Sequence, residues 1–390
     1  MLDPAPASPA DLAIVLTGGG ARAAYQVGVL RGIAAKLPHT RFNIITGVSA
    51  GAINAAFLAS RPGSLQDAVD ELTDLWSNLE IGDVFRVDLR SLAKHLIQWG
   101  LQLVSGGSRV RPPVKGLVDT TPLSALLARV FRVGAGGEIA GISENAGRGG
   151  PKAVALTTLD YVTGQTVTWV HGCDVQPWAR PLRRITETRL TIPHVMASAA
   201  LPLFFPAVAI GNGWYGDGGI RHASPLSPAL QLGAHRILAI STRYGKSLDE
   251  ADEPATEGYP PPAQILGQLM NAIFLDVLDE DAVRLLRSNA LLAKIAPEER
   301  QGHRIIDLVV LRPSQDLGKL VTRHEPSLPR GFRFFTRSLG TRETTSPDFL
   351  SLLMFQPDYL RALIEIGEAD AGARIAEIAA LVDGGCPASR

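Results

Sequence analysis

The chain has 390 residues, and its 38 Lys+Arg balance 38 Asp+Glu, so the formal net charge is zero. Hydrophobic residues at 46% and charged residues at 19% exclude a disordered chain, and the even charge argues against a nucleic-acid partner held by a general basic surface. Two cysteines, Cys173 and Cys386, are too few for a disulfide framework or for the usual Cys/His zinc site, and read most simply as reduced thiols in the cytosol.

Residues 1–10 are rich in Pro and Ala and read as a flexible leader; with Asp3 and Asp11 and no basic stretch, they do not resemble a secretory signal. Asp11–Leu16 predicts a buried strand, which runs into Thr17-Gly18-Gly19-Gly20 and then a helix over Arg22–Leu37. Phe42–Thr46 predicts a second strand, followed by Gly47-Val48-Ser49-Ala50-Gly51 and a helix to about Ala59. Two successive strand–turn–helix units imply a parallel sheet with helices on its faces. Residues 65–132 read as mostly helical, with a helix start at Asp119-Thr120-Thr121-Pro122. The glycine-rich stretch 134–150 reads as a surface loop. Lys152–Leu159 and Gln165–His171 predict a hairpin, and Thr191–Ala200 a helix. A second hairpin turning at Gly211-Asn212-Gly213 leads to Asp217-Gly218-Gly219, and His235–Ser241 predicts a buried strand. Residues 245–262, acidic and Pro-rich, read as a solvated loop. Beyond it come helical patterns near 263–296 and 357–382 and a strand, Ile305–Leu311. The longest apolar stretch, Met196–Gly211, is broken by Pro202 and Pro206 and falls short of a membrane span.

Three short stretches carry candidate chemistry. Ser49 sits in Gly-x-Ser-x-Gly between a strand and a helix, where a sharp turn lifts a hydroxyl clear of the sheet and leaves room only for small neighbours. The plainer reading is a helix N-cap serine. Gly18-Gly19-Gly20-Ala21-Arg22 lies at the same kind of junction, and its N–H groups can converge on an oxyanion or a phosphate; the plainer reading is a tight packing turn. A dinucleotide fingerprint fits poorly, because Ala23 stands where its last glycine belongs and no acid lies between Gly20 and Ser49. Asp217, flanked by Gly216, Gly218 and Gly219, is a candidate base, against the plainer reading of a hairpin aspartate. Of eight histidines, His222 is the best placed to partner the serine, but none sits in a distinctive constellation, and an α/β-hydrolase nucleophile normally follows more strands than Ser49 does.

These pieces, in this order, resemble the patatin-like phospholipase family, together with the block Ala197-Ser198-Ala199-Ala200-Leu201-Pro202. The resemblance covers about residues 11–242 and departs at Ala23, where the family loop usually carries glycine. It implies a three-layer α/β/α fold with a central, mostly parallel sheet and a helical C-terminal region. With composition and helical patterning outside that stretch, the division is a leader 1–10, a patatin-like catalytic domain 11–242, an acidic loop 243–262, and a mainly helical region 263–390 packing on the core. It also implies a lipid acyl hydrolase of the serine esterase type, acting on phospholipids or lysophospholipids. Ser49 and Asp217 would form a dyad without histidine, with Gly18, Gly19, Gly20 and Arg22 as the oxyanion hole, and no metal or cofactor. Acyl transfer, thioester hydrolysis, or a lipid-binding regulatory role on the same fold are the alternatives. Phe85–Lys115 holds six cations against one acid, Asp88, interleaved with apolar residues. It reads as a core-packed amphipathic helix, as a peripheral membrane contact for a cytoplasmic protein, or as a lid over the acyl site. Asp276, Asp279, Glu280 and Asp281 read as a solvated helix face rather than a metal site.

Overall fold

The computed structural model describes residues 11–86, 116–146, 148–172, 179–254 and 256–384, except 257, 339, 342, 345 and 346. Its layering follows from one strand. Along β1 (Leu12–Leu16), Leu12, Ile14 and Leu16 enter one apolar cluster while Ala13 and Val15 enter another. Side chains alternate across a strand, so an unbroken apolar run requires cover on both faces. The first face is covered by α1 (Ala24–Lys36), which follows a 3-10 turn over Gly20–Ala23, and by α2 (Ala50–Ser60), which follows β2 (Ile44–Val48). Next come α3 (Leu65–Ser77), α4 (Ile81–Val84), α5 (Thr121–Val130) and α6 (Ala140–Ala146).

The sheet then continues through β3 (Ala153–Asp160), β4 (Thr166–Gly172), β5 (Ala179–Arg180) and β6 (Arg183–Glu187). After α7 (Ile192–Ser198) come the paired β7 (Val208–Ile210) and β8 (Gly213–Asp217), α8 (Ser227–Gln231) and β9 (Arg236–Ile240). The tail contains α9 (Leu248–Ala251), α10 (Pro262–Phe274), α11 (Val277–Leu292) and β10 (Asp307–Leu311). It ends with α12 (Leu317–Val321), α13 (Arg330–Ser338), α14 (Asp348–Leu353), α15 (Pro357–Ala373) and α16 (Ile375–Asp383).

The sheet runs β10-β9-β1-β2-β3-β4-β6-β5, with β8 pairing both β3 and β7. The five strands from β10 to β3 are mutually parallel, while β4 and β8 run antiparallel to β3. Leu226 and Ala229 from around α8 and Leu278 and Ala282 of α11 cover the second face, completing three layers. The tail is woven into this core. β10 pairs with β9, and α15 crosses α1 so closely that a Cβ on Gly28 would lie 1.9 Å from the Ile364 carbonyl oxygen.

Four expectations are corrected. The second strand starts at Ile44 and ends at Val48, so its last turn carries Gly47 and Val48 into the sheet. The stretch 134–150 is not all loop: Ile139 and Ile142 are buried, and Gly141 lets α6 approach the Ser60 carbonyl, where a Cβ would sit at 2.1 Å. Within 245–262, Ser247 and Glu250 form a capping box that starts one helical turn, α9. The acids of α11 are not merely solvated. Asp276 pairs with Arg243 at 2.9 Å, Asp279 pairs with Arg243 at 3.1 Å and with Arg312 at 2.5 Å, and Asp281 accepts the Leu226 N–H at 2.9 Å. Of the basic segment, residues 87–115 lie outside the described residues. Phe85 is buried against Phe204, Phe205, Phe332 and Phe355, and Arg86 bridges to Asp119. Among the described residues no helix is long and apolar enough to cross a membrane.

Candidate active site

Ser49 occupies the turn between β2 and α2 with φ 57° and ψ −135°, a conformation that a side chain adopts only under strain. Its neighbours explain how the strain is held. A Cβ on Gly47 would meet the Gly51 carbonyl oxygen at 2.5 Å, and one on Gly51 would meet the Leu16 carbonyl oxygen at 2.4 Å. Both positions therefore demand glycine for space. The Ser49 N–H donates to Ser198 Oγ at 3.1 Å, and the Ser198 hydroxyl donates to the Thr157 carbonyl at 2.7 Å. That anchor occupies the backbone N–H of Ser49, so donors for an incoming oxyanion have to come from elsewhere.

Asp217 ends β8 opposite Thr158 and is fully buried. Its N–H donates to the Ala200 carbonyl at 3.0 Å, and its Oδ1 accepts the Gly219 N–H at 2.8 Å. Its Oδ2 is buried without a hydrogen-bond partner. Burial pushes the carboxyl up to about 7, against the pull of the Ser49 hydroxyl and then of the Gly219 N–H, which both favour the charged form. The ring of Phe274 closes over this corner, since a Cβ on Gly219 would touch it at 2.3 Å.

The glycine loop stands beside the serine: a Cβ on Gly18 would lie 3.0 Å from Ser49 Cβ. Gly19 at φ 154° and Gly20 at φ 54° use backbone open to glycine. The loop's carbonyls are taken. Thr17 O accepts from Gln26 Nε2 at 2.7 Å, Gly18 O from Thr242 Oγ1 at 2.7 Å, and Gly19 O from the Arg22 N–H at 3.0 Å. Among the described hydrogen bonds, none is donated by the N–H of Gly18, Gly19 or Gly20. A buried chain braces the loop from below: Trp76 Nε1 donates to Asn54 Oδ1 at 2.8 Å, and Asn54 Nδ2 donates to Gln26 Oε1 at 3.0 Å.

Arg22 is 3% exposed and turns toward the tail. It forms an ion pair with Asp348 of α14, and its Nε donates to Ser351 Oγ at 2.6 Å. Asp348 also accepts from Asn271 of α10 at 2.8 Å. Beside it, Gly20 lies so close to α14 that a Cβ would meet the Leu352 carbonyl oxygen at 2.2 Å.

Gly19, Gly20, Ser49 and Ala50 form one end of a cavity that is otherwise apolar. Ile53, Leu75, Trp76, Leu79 and Val84 line one side, and Leu123, Leu126 and Leu127 of α5 another. Ala199, Leu201 and Phe205 follow α7, and the tail supplies Phe274, Leu352, Leu353 and Phe355. No histidine is among the residues lining it. His222 faces a separate small cavity, with Gly47 and Thr157, and burial followed by the charge of Arg183 pushes it down to about 4. Among the described residues no group of three or more His, Cys, Asp or Glu is placed to hold a metal.

The structure thus brings together Ser49, Asp217, Gly18, Gly19 and Gly20, and places Arg22 behind the loop, outside the cavity lining. Sequence reasoning missed Ser198, Thr242, Asp348 and the four tail residues of the cavity. Only Ser198 had a signal, lying in the small-residue block after β6. Arg22 and Ser351 meet across 329 positions of sequence, which no local pattern announces.

Residues 14–230 match the model of the family described as patatin-like phospholipase. The calcium-independent phospholipase A2-gamma of Rattus norvegicus is 25% identical over 221 residues, which span 56% of this chain and 25% of that protein. Its Homo sapiens counterpart is 25% identical over 219 residues, again 25% of its length, so the chain matches about a quarter of these relatives. Among solved structures, human GIVD cytosolic phospholipase A2 in complex with methyl gamma-linolenyl fluorophosphonate aligns at TM-score 0.45 and 13% identity, covering 96% of this chain and 59% of that one. VipD from Legionella pneumophila aligns at TM-score 0.40 and 14% identity, covering 97% and 67%.

Proposed function

Since the chain belongs to the patatin-like phospholipase family, we propose that it hydrolyses fatty-acyl esters of phospholipids or lysophospholipids through a Ser49–Asp217 dyad. One observation carries this reading: a fully buried carboxylate on which the Ser49 hydroxyl bears, with that serine on a strained turn lining an apolar cavity.

The acyl chain lies in the cavity with its ester carbonyl beside Ser49. Ser49 Oγ attacks the carbonyl carbon while Asp217 Oδ2 takes the hydroxyl proton. Charge developing on the carbonyl oxygen is met by loop N–H groups, which are fixed in place before the reaction and so cost little reorganisation. The tetrahedral adduct collapses, the leaving alcohol receives the proton from Asp217, and the acyl group stays on Ser49. Water then enters, gives a proton to Asp217 and attacks the acyl-enzyme, and as the fatty acid leaves Asp217 returns that proton to Ser49 Oγ. Arg22 supports this by tying the loop to α14 rather than by touching the oxyanion. No histidine or metal takes part. Contact with a lipid surface, through the basic segment 85–115, belongs to the same proposal.

The test is mass-spectrometric mapping of a fluorophosphonate adduct on the wild type and on Asp217→Asn. Labelling at Ser49 that falls sharply in Asp217→Asn supports the dyad. Labelling of another residue, or labelling of Ser49 that is indifferent to Asp217, sinks it.

A further inference from the structure

We infer that Thr242 is a positioning residue for the oxyanion site, and that it acts by fixing the peptide between Gly18 and Gly19. The inference rests on the reading of Ser49 as nucleophile. Thr242 lies beyond the stretch matched by the family model, just after β9, and is fully buried.

A trans peptide is planar, and its C=O and N–H point in opposite directions. The Thr242 hydroxyl donates to the Gly18 carbonyl at 2.7 Å, so that carbonyl points toward Thr242. Strand β1 lies between β9 and β2, Thr242 follows β9, and Ser49 follows β2. A Gly18 carbonyl held toward β9 therefore turns the Gly19 N–H toward β2 and Ser49. That N–H donates to nothing else among the described hydrogen bonds.

The peptide needs such a clasp. It is flanked by two glycines, whose backbone rotates with little steric resistance. If it turned over, the Gly18 oxygen would face the reacting carbonyl, and the Gly19 N–H would be withdrawn. The contact also explains why Gly19 has no side chain: a Cβ there would stand 2.4 Å from Thr242 Oγ1. Packing alone does not require a hydroxyl at this place, because valine has nearly the same shape. The bond to the Gly18 carbonyl does.

Two substitutions separate bonding from packing. Thr242→Val keeps the shape and removes the donor, whereas Thr242→Ser keeps the donor and loses a methyl. Steady-state hydrolysis of a soluble p-nitrophenyl acyl ester, with Ser49 phosphonylation rates alongside, reads both. Thr242→Val is expected to lower kcat by about 100-fold, the scale of losing one oxyanion donor, with KM within about twofold. Thr242→Ser is expected to stay within about threefold of wild type. A Thr242→Val enzyme with wild-type kcat overturns the inference, as does a Thr242→Ser enzyme that falls as far as Thr242→Val. If Thr242→Val does not fold, Thr242→Ala against Thr242→Ser makes the same comparison, and equal losses again overturn it. Wild-type labelling at a residue other than Ser49 would instead remove the underlying reading. Labelling at Ser49 with an unaffected Thr242→Val removes only the role of Thr242.

Discussion

Ser49 and its glycine loop come from stretches where nearly every neighbour is small, whereas another part of the cavity wall comes from Phe274, Leu352, Leu353 and Phe355, on helices and a loop of the tail. The first region is held by contacts that leave no room for a Cβ and by hydrogen bonds to backbone carbonyls. The second is held by the ion pair of Arg22 with Asp348 and by the close crossing of α1 and α15. On the proposed mechanism the contrast separates two tasks: the small-residue region fixes reacting atoms, and the tail shapes what reaches them. Each task is open to a test that leaves the other intact.

The largest expected effect breaks the first region alone. Ser49→Ala is expected to lower acyl-ester hydrolysis by roughly 10⁴-fold or more, with the melting temperature close to wild type, because a buried hydroxyl is exchanged for hydrogen at an otherwise unchanged turn. Asp217→Asn is expected to lose activity on the same scale. Turnover assays with thermal melting check both, and substantial activity in a clean Ser49→Ala preparation would defeat the proposed mechanism.

A smaller effect follows from the same carboxyl. Asp217 accepts a proton only when ionised, and burial pushes it up to about 7. The acyl step should therefore rise with pH through about 7 and fall about tenfold per unit below it. Stability has the opposite sign. The unfolded group titrates near 3.8, so between about 4 and 7 the folded state holds more protons than the unfolded state. Stability then declines as pH rises through that window, and Asp217→Asn removes the decline. A melting temperature of Asp217→Asn that tracks wild type across this range would show that the carboxyl is not shifted upward.

The tail can be loosened without touching Ser49. Ala is normally better than Gly inside a helix by about 0.8–1 kcal/mol. At Gly28 the sign should reverse, because the added Cβ would stand 1.9 Å from the Ile364 carbonyl oxygen, and overpacking of this kind costs about 1–3 kcal/mol. Gly28→Ala is expected to melt earlier than wild type, while Gly82→Ala, where a Cβ meets nothing within 4 Å, is not. Equal melting temperatures for the two would mean that α15 does not bear closely on α1.

The same contrast explains what could be read from the sequence. The turn at Ser49 was legible because its constraints are local: a strand, small residues and a helix within a dozen positions. β1 and β9 were legible because burial on both faces leaves an unbroken apolar run. The strands β5 and β6 were not, since Ala179–Arg180 is exposed and Arg183–Glu187 is polar and half-exposed, with no apolar alternation to report. Helices α12 to α14 are short, and their placement is set by partners far away in sequence, as with Asp348 and Arg22. The part of the cavity wall that α14 supplies, Leu352 and Leu353, was for the same reason invisible until the chain was folded.

The finest test asks whether that wall selects the acyl chain. Leu353 is 2% exposed and lines the cavity together with Leu352 and Phe355. Each methylene withdrawn from apolar contact costs about 0.8 kcal/mol, or about fourfold in kcat/KM. Leu353→Trp fills space on the tail side, so acyl esters long enough to reach Leu353 should lose about fourfold for every methylene displaced, while esters too short to reach it change little. Leu353→Ala should move the preference the other way. Measuring kcat/KM over a homologous series of p-nitrophenyl esters, with Ser49 labelling by a small fluorophosphonate as reference, separates two mechanisms. A loss graded with chain length and constant labelling places selection in the tail. A loss equal at every length, with slower labelling, would mean that the tail acts on the serine through the loop, by way of Arg22 and Asp348, and that the two regions are not independent.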